Sequence, residues 1–96
     1  MKYKDFIAEI AKDSKFTQND VRSVLNKMSS LLISEIKDLD SDGSVTISNL
    51  GTFKRVLVKE RAYSINGNEG VTPAHYKLVF NPAVAVADDI ASVVVD

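Results

Sequence analysis

The chain contains no cysteine, so neither a disulfide framework nor a thiolate metal site is open to it, and a reducing compartment suits it. Long apolar runs are also missing. From Lys2 to Ile10 charged and apolar residues alternate, and no stretch has the length of a signal peptide or membrane span, which predicts a cytosolic protein. Catalytic constellations are missing as well: the single histidine, His75, has no cysteine to work with and no carboxylate nearby in sequence, no serine sits in a nucleophile-elbow pattern, and there is neither a phosphate-binding glycine loop nor zinc-site spacing. The expectation is a non-enzyme that needs no cofactor. A large excess of one charge is absent too, since the formal net charge is −1.

The distribution of that charge is more telling than its sum. Residues 1 to 42 carry seven Lys/Arg against eight Asp/Glu, and residues 78 to 96 carry only Asp88, Asp89 and Asp96. Between them, Lys54, Arg55, Lys59, Arg61 and Lys77 face only Glu60 and Glu69, a local net of +3. Positive charge is therefore concentrated in one segment, although a dedicated DNA binder usually carries a large positive excess over the whole chain. The excess is thin, and affinity from phosphate contacts scales with the cations supplied.

At 96 residues there is material for one small domain but little for a large core, which favours pairing with a second copy. Phe6, Ile7, Ile10 and Ala11 recur at helical spacing and stop at Asp13-Ser14-Lys15, predicting a short first helix. Thr17 with Asp20 three residues on gives a capping-box signal, flanked by Phe16 and Val21 at staple positions. A second helix then carries Val21, Val24, Leu25, Met28, Leu31, Leu32, Ile36 and Leu39 as a stripe wider than the first helix can cover.

Asp40-Ser41-Asp42-Gly43 predicts a turn and Val45 and Ile47 a half-buried strand. After the break at Asn49-Leu50-Gly51 the period stays near two. Phe53, Arg55, Leu57, Lys59, Arg61 and Tyr63 share one face, and Lys54, Val56, Val58, Glu60 and Ala62 the other. Neither face is uniformly apolar, as expected of a strand that leaves the core and becomes a solvated ribbon. Asn66 to Gly70 supplies residues suited to positive φ at a tip, Val71 to Phe80 returns, and Asn81 with Pro82 predicts the N-cap and first position of a last helix running to about Ser92. No internal repeat or linker interrupts this order.

Gly51-Thr52-Phe53, the Pro73-Ala74 pair seven residues before Phe80, and two upstream helices of suitable length together resemble the HU/integration host factor family of DNA-bending proteins over essentially the whole chain. The resemblance implies an α+β fold in an intertwined dimer: two N-terminal helices, a three-stranded antiparallel sheet with a protruding β-ribbon arm, and a C-terminal helix. It divides a single domain, residues 1–96, into a helical dimerisation base at 1–42, a β saddle at 43–80 with the arm at about 57–75, and a terminal helix at 81–96. Leu50, Phe53 and Phe80 become anchors of the dimer core. The implied partner is duplex DNA, bound and bent through the minor groove with little sequence preference, in a cytoplasmic, nucleoid-associated or viral setting.

Carried onto this chain, the resemblance implies DNA contacts from Lys2, Lys54, Arg55, Lys59, Arg61, Ile65, Asn66, His75 and Lys77, with Lys4 near the same basic start. The tip departs from the family, since Ile65-Asn66-Gly67 stands where an Arg-Asn-Pro pattern with its wedge proline is usual. Either Ile65 is the wedge, isoleucine being among the side chains used for this, or it packs against the opposite limb. Val58-Lys59-Glu60-Arg61-Ala62 resembles the family's Val-Arg-Glu-Arg-Ala but lies farther from Gly-Thr-Phe, implying a longer strand and a shorter tip. Tyr63 is read as a cover for the ribbon in preference to a sugar contact.

Two other readings are compatible with the residues. The near-neutral charge and missing proline suit an HU-fold scaffold that pairs with another nucleoid or viral protein, as a heterodimer partner with weak DNA affinity. Asp38, Asp40, Asp42 and Gly43 match part of a calcium-binding loop, although Asn49 replaces the bidentate glutamate and strands follow where a helix should.

Overall fold

A computed structural model describes residues 1–95. Its elements run α1 (Tyr3–Asp13), α2 (Gln18–Lys37), β1 (Ser44–Ile47), β2 (Gly51–Val58), β3 (Arg61–Ile65), β4 (Asn68–Thr72), β5 (His75–Pro82) and α3 (Val84–Ala91). The expected α+β order is thus present. Two compact units divide the chain, one comprising Met1–Ser34 and the other starting at Glu35.

In the first unit α1 starts after Lys2, whose backbone N–H donates to the Asp5 carboxylate at 2.8 Å. The α2 start is the predicted reciprocal box: Thr17 N–H donates to Asp20 Oδ2 (3.2 Å) and Asp20 N–H to Thr17 Oγ1 (3.1 Å). Each bond satisfies a donor that the first helical turn leaves without an intrahelical partner. The Tyr3 hydroxyl ties α1 to α2 through Asn26 Oδ1 at 2.7 Å. Ile7, 1% exposed, and Val21, 5% exposed, form the buried centre of this unit. Phe6, Phe16, Val24, Met28 and Leu31 stay exposed, so the wide stripe is not buried within one chain.

In the second unit β2 is the central strand of a three-stranded antiparallel sheet, order β1-β2-β5. Leu50 N–H donates to Ile47 O at 2.9 Å and closes the β1–β2 turn. Phe53 lies opposite Phe80, their ring centroids 4.7 Å apart and tilted by 41°, an offset geometry that adds to simple burial.

Three boundaries differ from expectation. The strand predicted to run unbroken from Thr52 stops at Val58: β3 and β4 form their own two-stranded sheet, separated from β2 and β5 by Lys59-Glu60 on one limb and Pro73-Ala74 on the other. Pro73 has no N–H to give to a ladder, which accounts for the gap on its limb. The tip is also shorter than Asn66 to Gly70. Only Asn66 (φ 53°) and Gly67 (φ 81°) lie between the paired Ile65 and Asn68, the two-residue turn with positive φ at both positions that Asn-Gly favours. Finally, Asn81 and Pro82 do not start the last helix. They pair with Thr52 and Gly51, and Ala83 N–H adds a bond to Leu50 O at 2.9 Å, so α3 starts one residue later at Val84. Pro82 fits a strand end because its fixed φ is compatible with extended backbone as well as helix.

Candidate nucleic-acid interface

Cross-strand partners in an antiparallel pair project to the same side, so the register assigns every strand residue to a face. On one side of the sheet lie Val45, Phe53, Leu57, Tyr76, Leu78 and Phe80, together with Arg55. The other side brings together Lys54, Lys77 and His75 with Ser44, Thr46, Thr52 and Asn81, and with Val56, Val58 and Val79 between them. Thr46 and Thr52 share a 3.0 Å hydroxyl contact there. One face is apolar apart from Arg55, and the other mixes cations and hydroxyls with three valines.

This separates residues that the sequence had grouped. Arg55 and Lys54, both expected among the DNA-contacting cations, lie on opposite sides of the sheet. Arg55 Nη1 donates to Ile36 O at 2.7 Å and Asp38 O at 2.9 Å, and Nη2 to Ser41 O at 3.4 Å. Its guanidinium also lies 5.2 Å from the centroid of the Tyr76 ring. The last carbonyls of a helix have no intrahelical partner and carry its negative dipole end, so a planar fork of donors is well suited to that place. Arg55 is thereby a cap for α2 rather than a free cation. Gly43 makes room for it: a Cβ there would come within 2.8 Å of the Arg55 side chain, at a φ of 72°.

The Asp38–Asp42 turn is held by its own carboxylates. Asp38 accepts from Asp40 N–H at 2.9 Å, and Asp42 accepts from Ser44 N–H at 3.1 Å and from Ser44 Oγ at 3.0 Å. Among the described residues no three potential ligand side chains converge as a metal site. The bonds from Ser44 hold the Asp42 carboxyl below its ordinary value of 3.8, with nearby Arg55 adding a smaller pull in the same direction. A lowered folded-state pKa contributes stability that is present above the ordinary value and is lost as pH falls through the folded one. Asp42→Asn is therefore expected to be less stable than the parent at neutral pH, the two converging below about pH 3.8 in denaturant titrations.

Beyond the gap the arm has two faces of its own. Arg61, Tyr63 and Ile65 share a side with Asn68, Gly70 and Thr72; Ala62, Ser64, Glu69 and Val71 occupy the other. The arm's cation and its largest apolar groups thus lie opposite its carboxylate. Ile65 ends β3 beside the turn and is 61% exposed, and Asn66 is in the turn itself. Lys59 lies in the gap between the two sheets. His75 opens β5, with Nδ1 2.9 Å from Pro73 O, and Lys2 is exposed at the head of α1 in the helical unit. The hydroxyls of Ser44, Thr46 and Thr52 and the amide of Asn81 were missed in sequence. Alternation in β1 was the available signal, but without the β2–β5 register it could not be matched to the lysines.

A family model described as bacterial DNA-binding protein matches residues 1–91. Among solved structures, an HU protein from Anabaena in a cocrystal with DNA aligns with a TM-score of 0.83 at 18% identity, over 96% of this chain and 99% of the other. At that identity the likeness is one of fold. No curated protein matches the chain.

Proposed function

Because the chain belongs to the family of bacterial DNA-binding proteins, we propose that it is an architectural protein that holds duplex DNA against the Lys54–Lys77–His75 face of its sheet and bends it with the β3–β4 arm. The observation that carries this reading is the sheet register, which gathers Lys54, Lys77 and His75 with the hydroxyls of Ser44, Thr46 and Thr52 on one side, among Val56, Val58 and Val79, and puts the aromatic residues on the other. Family membership favours DNA over the scaffold alternative.

Each residue has a role that follows from its place. Lys54 and Lys77 supply charge to phosphates from the sheet, with Thr46, Thr52 and Asn81 as neutral donors beside them. His75 adds a ring nitrogen on the same side. Lys59 and Arg61 continue the cationic track into the arm, which follows the minor groove, and Asn66 lies at its end. Ile65 is the wedge that unstacks a base step in place of the absent proline. Phosphates carry no sequence information and the minor groove separates mainly A·T from G·C, so little sequence preference is expected.

The active form is a homodimer. Phe16 at 64%, Val24 at 67% and Leu78 at 61% are too exposed for one chain to be a finished fold, and a second copy covers such surface with no new sequence required. Two copies also double the number of cations that can meet phosphates.

Fluorescence anisotropy on intact and nicked duplexes across a salt series tests the proposal. The parent is expected to prefer the nicked, pre-bent duplex and to weaken steeply with salt. Lys54→Ala with Lys77→Ala is expected to weaken binding by roughly tenfold and to flatten the salt slope by about 0.9 for each phosphate no longer neutralised. Parent protein, confirmed dimeric, that fails to bind at low salt would overturn the reading.

A further inference from the structure

Tyr63 and Gly70 face each other across the arm, and the space above the glycine is filled by the tyrosine. A Cβ on Gly70 would lie 2.8 Å from Tyr63 Cε1 and would collide with Cζ and the hydroxyl. The ring therefore lies across bare backbone, one side covered by Gly70, and the residue is still 45% exposed. Gly70 has no positive φ to explain its presence; the ring does. Arg61 and Ile65 flank Tyr63 on the same face, while Glu69 is on the other.

Spacing gives this arrangement a use. Alternate residues of a strand are about 6.6–6.8 Å apart, and two base-pair steps of B-DNA rise about 6.8 Å along the helix axis. Arg61, Tyr63 and Ile65 thus match the axial rise of two base-pair steps from one to the next. A cation at the first position meets a phosphate, and an apolar tip at the third meets a base step. A flat aromatic surface between them meets the apolar side of a deoxyribose. Resting on the DNA reading above, we propose that Tyr63 is a further DNA-contacting residue, laid flat by Gly70 so that its outer ring face packs against a deoxyribose in the minor groove. The ring, not the hydroxyl, makes the contact. The contact carries no charge, so removing it lowers affinity without altering the salt slope.

The test uses the full chain with Tyr3→Phe and Tyr76→Phe, which leaves Tyr63 as the only tyrosine emitter. Titration with a short duplex is expected to change Tyr63 emission in parallel with anisotropy. In the otherwise unaltered chain, Tyr63→Phe is expected to bind as the parent does. Tyr63→Ala and Gly70→Ala are each expected to lose on the order of tenfold in affinity at an unchanged salt slope. Gly70→Ala keeps the ring and lifts it off the backbone, so it reports position rather than mere presence. Saturating duplex that leaves Tyr63 emission unchanged would overturn the proposal, even if Tyr63→Ala binds poorly, because a ring that only stiffens the hairpin has no reason to sense DNA. Parent-like affinity in both alanine variants would overturn it equally. A parent that binds no duplex would remove the DNA reading and this contact with it, an outcome that anisotropy separates from the other two.

Discussion

Arg55→Ala is expected to destabilise the second unit by about 2–3 kcal/mol, since a partly buried guanidinium leaves three carbonyls behind and hydrogen bonds involving charged groups each contribute roughly 1.5–3 kcal/mol before solvent competition. For a domain of this size such a loss lowers the melting temperature by roughly 10–20 °C. Arg55→Lys recovers less than half of it, because a single ammonium cannot span the Ile36, Asp38 and Ser41 carbonyls as a planar fork does. Thermal and urea denaturation measure the cost. DNA titration distinguishes the role: where the variant remains folded, its salt slope should equal the parent's. A stable variant whose slope falls by about one would return Arg55 to the phosphate-facing set.

Gly51→Ala is expected to have a comparable or larger effect, about 3 kcal/mol or more, for a steric reason. A Cβ at Gly51 would strike the Asn81 carbonyl oxygen and lie 2.8 Å from Pro82 Cα and 2.9 Å from Phe80 Cε1, at a φ of 154°. Two of these three obstacles are backbone. They cannot withdraw without breaking the Gly51–Pro82 pairing and displacing Phe80 from Phe53. Gly67→Ala is the control. It too has a positive φ, 81°, but nothing within 4 Å of the added atom, so it carries only the left-handed strain of about 1–2 kcal/mol. Equal losses in the two variants would show that conformation, not collision, governs both sites.

Much of the fold was legible because its signals are local. Thr17 and Asp20 announce a helix start through bonds spanning three residues, and Asn66-Gly67 announces a turn through the φ values that those residues accept. What was not legible depends on the partner strand. Period two puts Arg55 and Lys54 on opposite faces, but nothing in either limb says which face packs against the end of α2. Pairing of β2 with β5 and the position of the Ile36 carbonyl decide it. The start of α3 misled for the same reason. Asn81-Pro82 is a sound helix signal until Gly51, far upstream in the chain, provides a flat place for Pro82 to pair. The gap between the two sheets needs Lys59-Glu60 and Pro73-Ala74 to coincide across the ribbon, and no window along one limb contains both.

That gap makes arm length an independently variable trait. The β3–β4 ladder closes on its own two-residue turn and shares no pairing with the β2–β5 ladder. Two residues added to each limb of the arm would move the tip outward by about 6.6–6.8 Å and leave every residue of the sheet in place. A single residue added to one limb would instead turn the arm's faces over from that point. Arm length can therefore change in paired steps while Lys54 and Lys77 keep their places in the sheet.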